Sequence, residues 1–334
     1  MSENEGAITF PTSQRRSLWK TALKGAAIIA LLVVLGMKGF ISLEKTRRAL
    51  SDWGHILPAL GLSFMAVCLG VIRWQWLLRA QQIRLPLVRT LELTLIGNFF
   101  NVALPGAVSG DLVKAFYVGQ EVEGQRARSF GSILFDRVVG VSALVIVSAA
   151  ALSIGLDAFR GTRLMHGIRI LMTVAAMCVI AFYAYLFMVQ EQRDPLLILL
   201  RRIEAKVSRA GSFTRIYEGI RHYHHHPRTV AAVLTLSIVI HLLVGCACFW
   251  FARALGDVNV PLLSCYVVVP LGLLVTAVPV APAGVGTGHA AFLFLFGLIG
   301  SQVGPDVYSL YALSLALFAS FGGVIYLRFK GKTV

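Results

Sequence analysis

Apolar residues run through this chain in long stretches separated by clusters of Arg and Lys. A helix crosses a ~30 Å hydrocarbon core with about 20 mostly apolar residues. Stretches of that length fall at 56–78, 138–156, 170–190, 230–251, 262–280 and 307–327. A further one, 18–37, carries Lys20 and Lys24 near its start, where both can snorkel to the headgroups. Residues 290–302 are apolar but too short to span without the irregular segment before them. The pattern predicts an all-α, polytopic membrane protein of about seven to nine transmembrane helices.

One stretch has a different period. In 196–207, LLILLRRIEAKV, the residues Leu196, Leu199, Leu200, Ile203 and Val207 share one helical face, with Arg201, Arg202 and Lys206 largely elsewhere. This predicts an amphipathic helix lying flat on the inner leaflet. The chain then divides into a tail at 1–17, one membrane domain at 18–328 with a cytoplasmic connector at 191–229, and a tail at 329–334.

Composition agrees with this pattern: 57% of residues are hydrophobic and 14% charged, against about 25% charged in soluble domains. A net charge of +15 would point to nucleic acid in a soluble protein. Here the cations set orientation and meet anionic lipid, and no nucleic-acid partner is expected. The clusters are Arg15, Arg16, Lys20 and Lys24; Arg79, Arg84 and Arg89; 193–228; and Arg328, Lys330 and Lys332. All of them fall in the cytoplasm only if 90–118 makes an even number of crossings, as a re-entrant segment would. The N-terminal stretch reads as a retained anchor, and the location as a bacterial-type inner (plasma) membrane with both termini cytoplasmic. Cys68, Cys178, Cys246, Cys248 and Cys265 all lie in apolar runs and suggest packing, not disulfides.

Two segments break the apolar runs in a similar way. Residues 104–116, LPGAVSGDLVKAF, pass from Pro105 and Gly106 through Ser109 and Gly110 to Asp111 and Lys114. Residues 279–292, PVAPAGVGTGHAAF, pass from Pro282 through Gly284, Gly286, Thr287 and Gly288 to His289. This is a weak internal repeat, and paired Gly/Pro breaks in the two halves of a membrane protein point to a binding site near the bilayer midplane. Freed backbone groups must be buried in protein or line a wet cavity, a role that Asn98, Asn101 and Ser109 suit. Asp111 and Lys114, three apart, can pair on one face, and the new helix start can receive an anion. The plain alternative is a helix entering at the interface with Lys114 snorkelling.

Asp136 and Arg137 are neighbours pointing about 100° apart, so each needs a partner elsewhere. Arg137 could face a lipid phosphate, and Asp136 could hold Lys114 or Arg73. Arg73, with the interface-marking Trp74 and Trp76 beside it in RWQW, reads as a snorkelling end residue, and His241 as a packing residue. The run HYHHHP at 222–227 lacks the spacing of a metal site and reads as a solvated loop. No nucleotide-binding glycine motif, nucleophile elbow or paired carboxylates outside the membrane are found, so no cofactor, metal or catalytic residue is assigned.

GNFFNVALPGAVSGDLVKAFYV, then SILFDRVVG, then PVAPAGVGTGHAAF, resembles the flippase-like family typified by the transmembrane half of lysylphosphatidylglycerol synthases. The order and spacing extend that resemblance over most of 20–328. It implies a helical membrane domain with broken or re-entrant segments that moves or presents lipids between leaflets, without the soluble aminoacyl-transfer domain. The family's acidic and basic positions fall on Asp111 and Lys114, and its Asp-Arg pair on Asp136 and Arg137. His289 stands where many members carry Glu.

The expectation is therefore a non-enzymatic, lipid-binding protein that passes an anionic or phosphate-bearing lipid across the bilayer without ATP. Lys114 and Arg137 would hold phosphate, Asp111 and Asp136 would orient them, and His289 would face the same cavity. The other reading is a non-catalytic partner of a separate lipid- or glycan-modifying enzyme.

Overall fold

The computed structural model describes residues 43–103, 109–122, 125–154, 163–206, 211–277, 284 and 286–328. Within them the chain forms α1 (Leu43–Ser51), α2 (Trp53–Ala80), α3 (Leu87–Ala103), α4 (Ser109–Glu121), α5 (Arg126–Ile154) and α6 (Arg163–Met188). It continues as α7 (Pro195–Lys206), α8 (Gly211–Arg221), α9 (Pro227–Ala254), α10 (Leu262–Ala277), α11 (Thr287–Leu298) and α12 (Gly304–Arg328), with 3₁₀ turns at Glu191–Arg193 and His222–His225. No strand occurs among the described residues.

Among the described residues five helices are long and apolar enough to cross a membrane: α2, α5, α6 from His166, α9 and α12. They contain the expected spans 56–78, 138–156, 170–190, 230–251 and 307–327 to within a few residues. The expected 262–280 span is instead the 16-residue α10, and 290–302 corresponds largely to the 12-residue α11. The expected helix at 18–37 lies outside the described residues. Helix α5 starts twelve residues before the apolar run, because its first turns carry Ser129 and Ser132, both buried inside the protein.

The central pair is α2 against α9, with α5 packed on both. Hydrophobic packing joins α2, α9, α10, α11 and α12 around Phe251, Val269, Phe292 and Phe296. Two pairs of short helices complete the body: α3 with α4, and α10 with α11. A Gly/Pro break falls between the helices of each pair.

Backbone proximity shapes both pairs. A Cβ on Gly110 of α4 would collide with the Gly97 carbonyl of α3, so the two helices cross in direct contact. At the other end of this pair Arg89 bridges to Glu121 at 2.5 Å, which brings the start of α3 and the end of α4 together. In the second pair, Gly272 of α10 lies beneath the ring of Phe292 of α11. Gly286 precedes α11 at φ 90°, a conformation that L side chains rarely adopt.

One end of the bundle is basic and extensively tied. Gln81 donates to the Gly219 carbonyl at 2.6 Å, Tyr223 donates to the Leu77 carbonyl at 3.1 Å, and the Tyr223 ring stacks on Phe135. The end of α2, the starts of α5 and α9, and all of α8 therefore meet there. Asp194, fully buried, begins α7 by accepting from the N–H groups of Leu196 and Leu197. It also accepts from the hydroxyls of Tyr185 and Tyr217 and pairs with Arg221, whose guanidinium reaches the last carbonyls of α6.

Candidate functional site

The polar residues of the two central helices converge on a cavity of about 420 Å³ bounded by α2, α3, α4, α5, α9, α10 and α12. Its α2 wall follows from sequence spacing. Ser63, Ala66, Gly70 and Arg73 recur at helical intervals and form one small-residue stripe ending in a guanidinium. Lys114 lies about 10 Å along α4 from Glu121, and Arg73 about 10 Å along α2 from Ala80, at 1.5 Å rise per residue. Both charged groups therefore lie well within their helices, about two turns from those ends.

Two ion pairs cross the cavity. Arg73 grips Asp136 through both guanidinium edges, Nε to Oδ1 at 2.7 Å and Nη2 to Oδ2 at 2.8 Å, and donates from Nη1 to Ser237 at 3.0 Å. Arg137 donates from Nε to Asp111 at 2.7 Å. The neighbours Asp136 and Arg137 thus point to different partners, as their angular separation requires. The two sides are unequal: the Arg137 side chain is 54% exposed and that of Asp111 only 10%.

The expected Asp111–Lys114 ion pair is not the contact made: the Asp111 carboxylate accepts from Arg137 instead. Lys114 is 7% exposed, and its ammonium lies 3.9 Å from the centre of the Trp74 ring. Its stem runs flat across Gly97, where a Cβ would stand 2.5 Å from Lys114 Cδ. Trp74 is itself buried and directs its indole N–H toward Ser132 at 3.4 Å. Arg73, expected to snorkel to the surface, is instead turned inward onto Asp136.

The charged lining residues are Arg73, Lys114 and Arg137 against Asp111 and Asp136, three cations to two anions, an excess of one positive charge among the described residues. The paired arginines are matched by carboxylates. Lys114 lies against an aromatic face, near Asp111 and Asp136, which are each already held by an arginine, so a desolvated ammonium there favours a further negatively charged occupant. The opposite wall carries apolar Ile240, Val244, Leu273 and Leu315 interspersed with His241, Thr276, Tyr308 and Tyr311, with no carboxylate, lysine or arginine.

The first broken segment contributes as a unit. Asn98 and Asn101 line the cavity, and Asn101 accepts from the Gly110 N–H at 2.9 Å, which satisfies an unpaired donor at the start of α4. Ser109 bonds the Phe100 carbonyl at 3.2 Å. Pro105 and Gly106 lie outside the described residues.

The second segment divides. Gly284 lines the cavity beside Thr276 and Tyr308. Gly286, Thr287, Gly288 and His289 are not among its walls, and Pro282 lies outside the described residues. His289 accepts from the Gly286 N–H at 3.2 Å and meets Ser309 at 3.0 Å through its other nitrogen, edge-on to Tyr308. It fastens α11 to α12 and does not face the cavity. His241, read as a packing residue, does line the cavity and bonds the Gly140 carbonyl at 3.1 Å. No group of three or more metal-ligating side chains occurs among the described residues.

A family model described as the lysylphosphatidylglycerol synthase TM region matches residues 22–325. Among curated proteins, a UPF0104 membrane protein of Methanothermobacter thermautotrophicus is 25% identical over 300 residues, 84% of each chain. A UPF0104 membrane protein of Pyrococcus horikoshii is 27% identical over 123 residues, 36% of this chain and 37% of that one. No solved structure matches the chain.

Proposed function

The chain belongs to the lysylphosphatidylglycerol synthase transmembrane-region family, and from that premise we propose that it binds an anionic, phosphate-bearing lipid in the central cavity and passes the headgroup between leaflets. The observation that carries this reading is Lys114, a buried ammonium on the wall of a cavity whose two carboxylates, Asp111 and Asp136, are each held by an arginine. A headgroup phosphate would supply the missing charge, and the apolar residues Ile240, Val244, Leu273 and Leu315 of α9, α10 and α12 would receive the start of the acyl chains. The Arg73–Asp136 and Arg137–Asp111 pairs hold the remaining charges neutral, so one anion balances the site. The α3–α4 pair acts as a re-entrant hairpin that admits the headgroup to the cavity. No nucleotide takes part.

The test uses purified protein in proteoliposomes. Fluorescent phosphatidylglycerol is loaded in both leaflets, and dithionite bleaching of the outer leaflet reports exchange. Active protein bleaches beyond the outer-leaflet half, and Lys114→Ala slows that excess at least tenfold at equal incorporation. Equal bleaching with and without protein would overturn the transport reading, and a partner role for a modifying enzyme would then be favoured.

A further inference from the structure

We propose that α7 and α8 form a docking surface for an anionic leaflet, which ties the cytoplasmic-side connector to the lipid composition around the transport body. Helix α7 buries one narrow face, centred on Leu197, against α8. A second face at helical spacing stays uncovered: Leu196, Leu199 at 52% exposure, and Ile203. Phe213 near the start of α8 adds a ring at 68% exposure. In water such a stripe would be a standing liability. At a bilayer surface it is the inserting face of an interfacial helix.

The level of this stripe is fixed. The Asp194 cluster ties the first turn of α7 to Tyr185 and to the carbonyl of Leu186, in the last turn of the membrane-length helix α6. The stripe therefore starts where α6, a helix long and apolar enough to cross a membrane, ends. Charge selects the occupant. Exposed Arg193, Arg202 and Arg215 belong to the same connector, and each cation near an anionic surface contributes about 1 kcal/mol. An apolar stripe level with a membrane helix end and accompanied by arginines fits lipid, not a protein groove.

The surface is also coupled to the body. Helix α8 rests on α5 with Gly219 against Gly131, and Tyr223, just beyond it, stacks on Phe135 at 4.1 Å between ring centres. Phe135 immediately precedes Asp136 and Arg137. A change in how α7 and α8 seat on the leaflet thus acts one residue from the cavity's ion pairs.

A fluorescent amino acid placed by codon suppression at Leu199, or separately at Arg201 on another face of α7, tests this in nanodiscs. One set contains phosphatidylcholine alone, the other phosphatidylcholine mixed with phosphatidylglycerol, each with brominated acyl chains as quencher. The expected result is a blue-shifted, bromine-quenched signal at 199, stronger with phosphatidylglycerol, while 201 stays water-exposed. Arg202→Glu with Arg215→Glu should abolish the phosphatidylglycerol dependence. A signal at 199 quenched by aqueous iodide and indifferent to bromine in both lipids would overturn the proposal, as would protection at 199 gained only by adding a soluble protein. The readout requires no lipid transport, so its failure and that of the transport reading are distinguishable.

Discussion

Replacing Lys114 with Met separates a ligand-binding lysine from a structural one, because the two roles predict opposite signs. Met nearly matches the stem that crosses Gly97 and removes only the charge. For stability, the loss is the contact with Trp74, worth about 0.5–2 kcal/mol. Against it stands relief of desolvation, which for a buried ion whose neighbouring carboxylates are held by arginines amounts to several kcal/mol even after relaxation. Relief is the larger quantity, so the lipid-free protein should melt at an equal or higher temperature. For binding, a charge-assisted contact worth about 1.5–3 kcal/mol is lost, which is at least tenfold in Kd. Thermal unfolding in detergent and titration with phosphatidylglycerol by native mass spectrometry give the two numbers. Wild-type affinity in Lys114→Met, or a melting temperature that falls along with affinity, would refute the assignment.

Gly97→Ala should lower affinity almost as far as Lys114→Met with every charge retained, since the new methyl displaces the lysine stem; the same titration checks it. Arg73→Leu leaves Asp136 unpaired and should destabilise by about 3–5 kcal/mol, whereas Arg73→Leu with Asp136→Leu should recover most of that loss. Comparison of the three melting curves decides it. At Asp194, burial works to raise the carboxyl, but hydrogen bonds from Tyr185, the Leu197 N–H and Tyr217, with the Arg221 charge, outweigh it and hold the group below the ordinary carboxylate range. A depressed folded-state value stabilises the protein above the unfolded value, and that stability is lost as pH falls through the folded one. Asp194→Asn should therefore melt lower at neutral pH, with the gap to wild type closing on acidification.

The membrane spans were legible because hydrocarbon imposes a length that apolar runs reveal directly. The cavity was only partly legible. Its α3–α4 side announced itself through the break and the charges at Asp111 and Lys114, but which charge pairs with which depends on how α5 and α2 are rotated. Arg73 was misread because Trp74 and Trp76 were taken together as an interfacial mark. Residues two apart on a helix point about 200° apart, so both rings cannot face lipid, and Trp74 is the buried one. The stripe Ser63, Ala66, Gly70, Arg73 was the signal that could have placed Arg73 inside. His289 was assigned to the cavity by the apparent repeat. The second break instead opens onto a tyrosine-rich contact with α12, where Tyr308 fills the space that Gly288 leaves.

The pairing of Arg73 with Asp136 also bears on how the chain is made. The partners are 63 residues apart in sequence, and Ser237, the third member, is 164 residues from Arg73. Helix α2 therefore leaves the ribosome carrying a guanidinium whose counter-charge has not yet been synthesised. An arginine costs up to about 2.5–3.5 kcal/mol during translocon insertion, the full amount at a helix centre, and Arg73 stands seven residues from the end of α2, so the nascent helix is less firmly committed to lipid until α5 arrives. Biogenesis then has a checkpoint: stalled chains ending before residue 136 should remain crosslinkable to the insertion machinery through α2, and chains extended past α5 should be released.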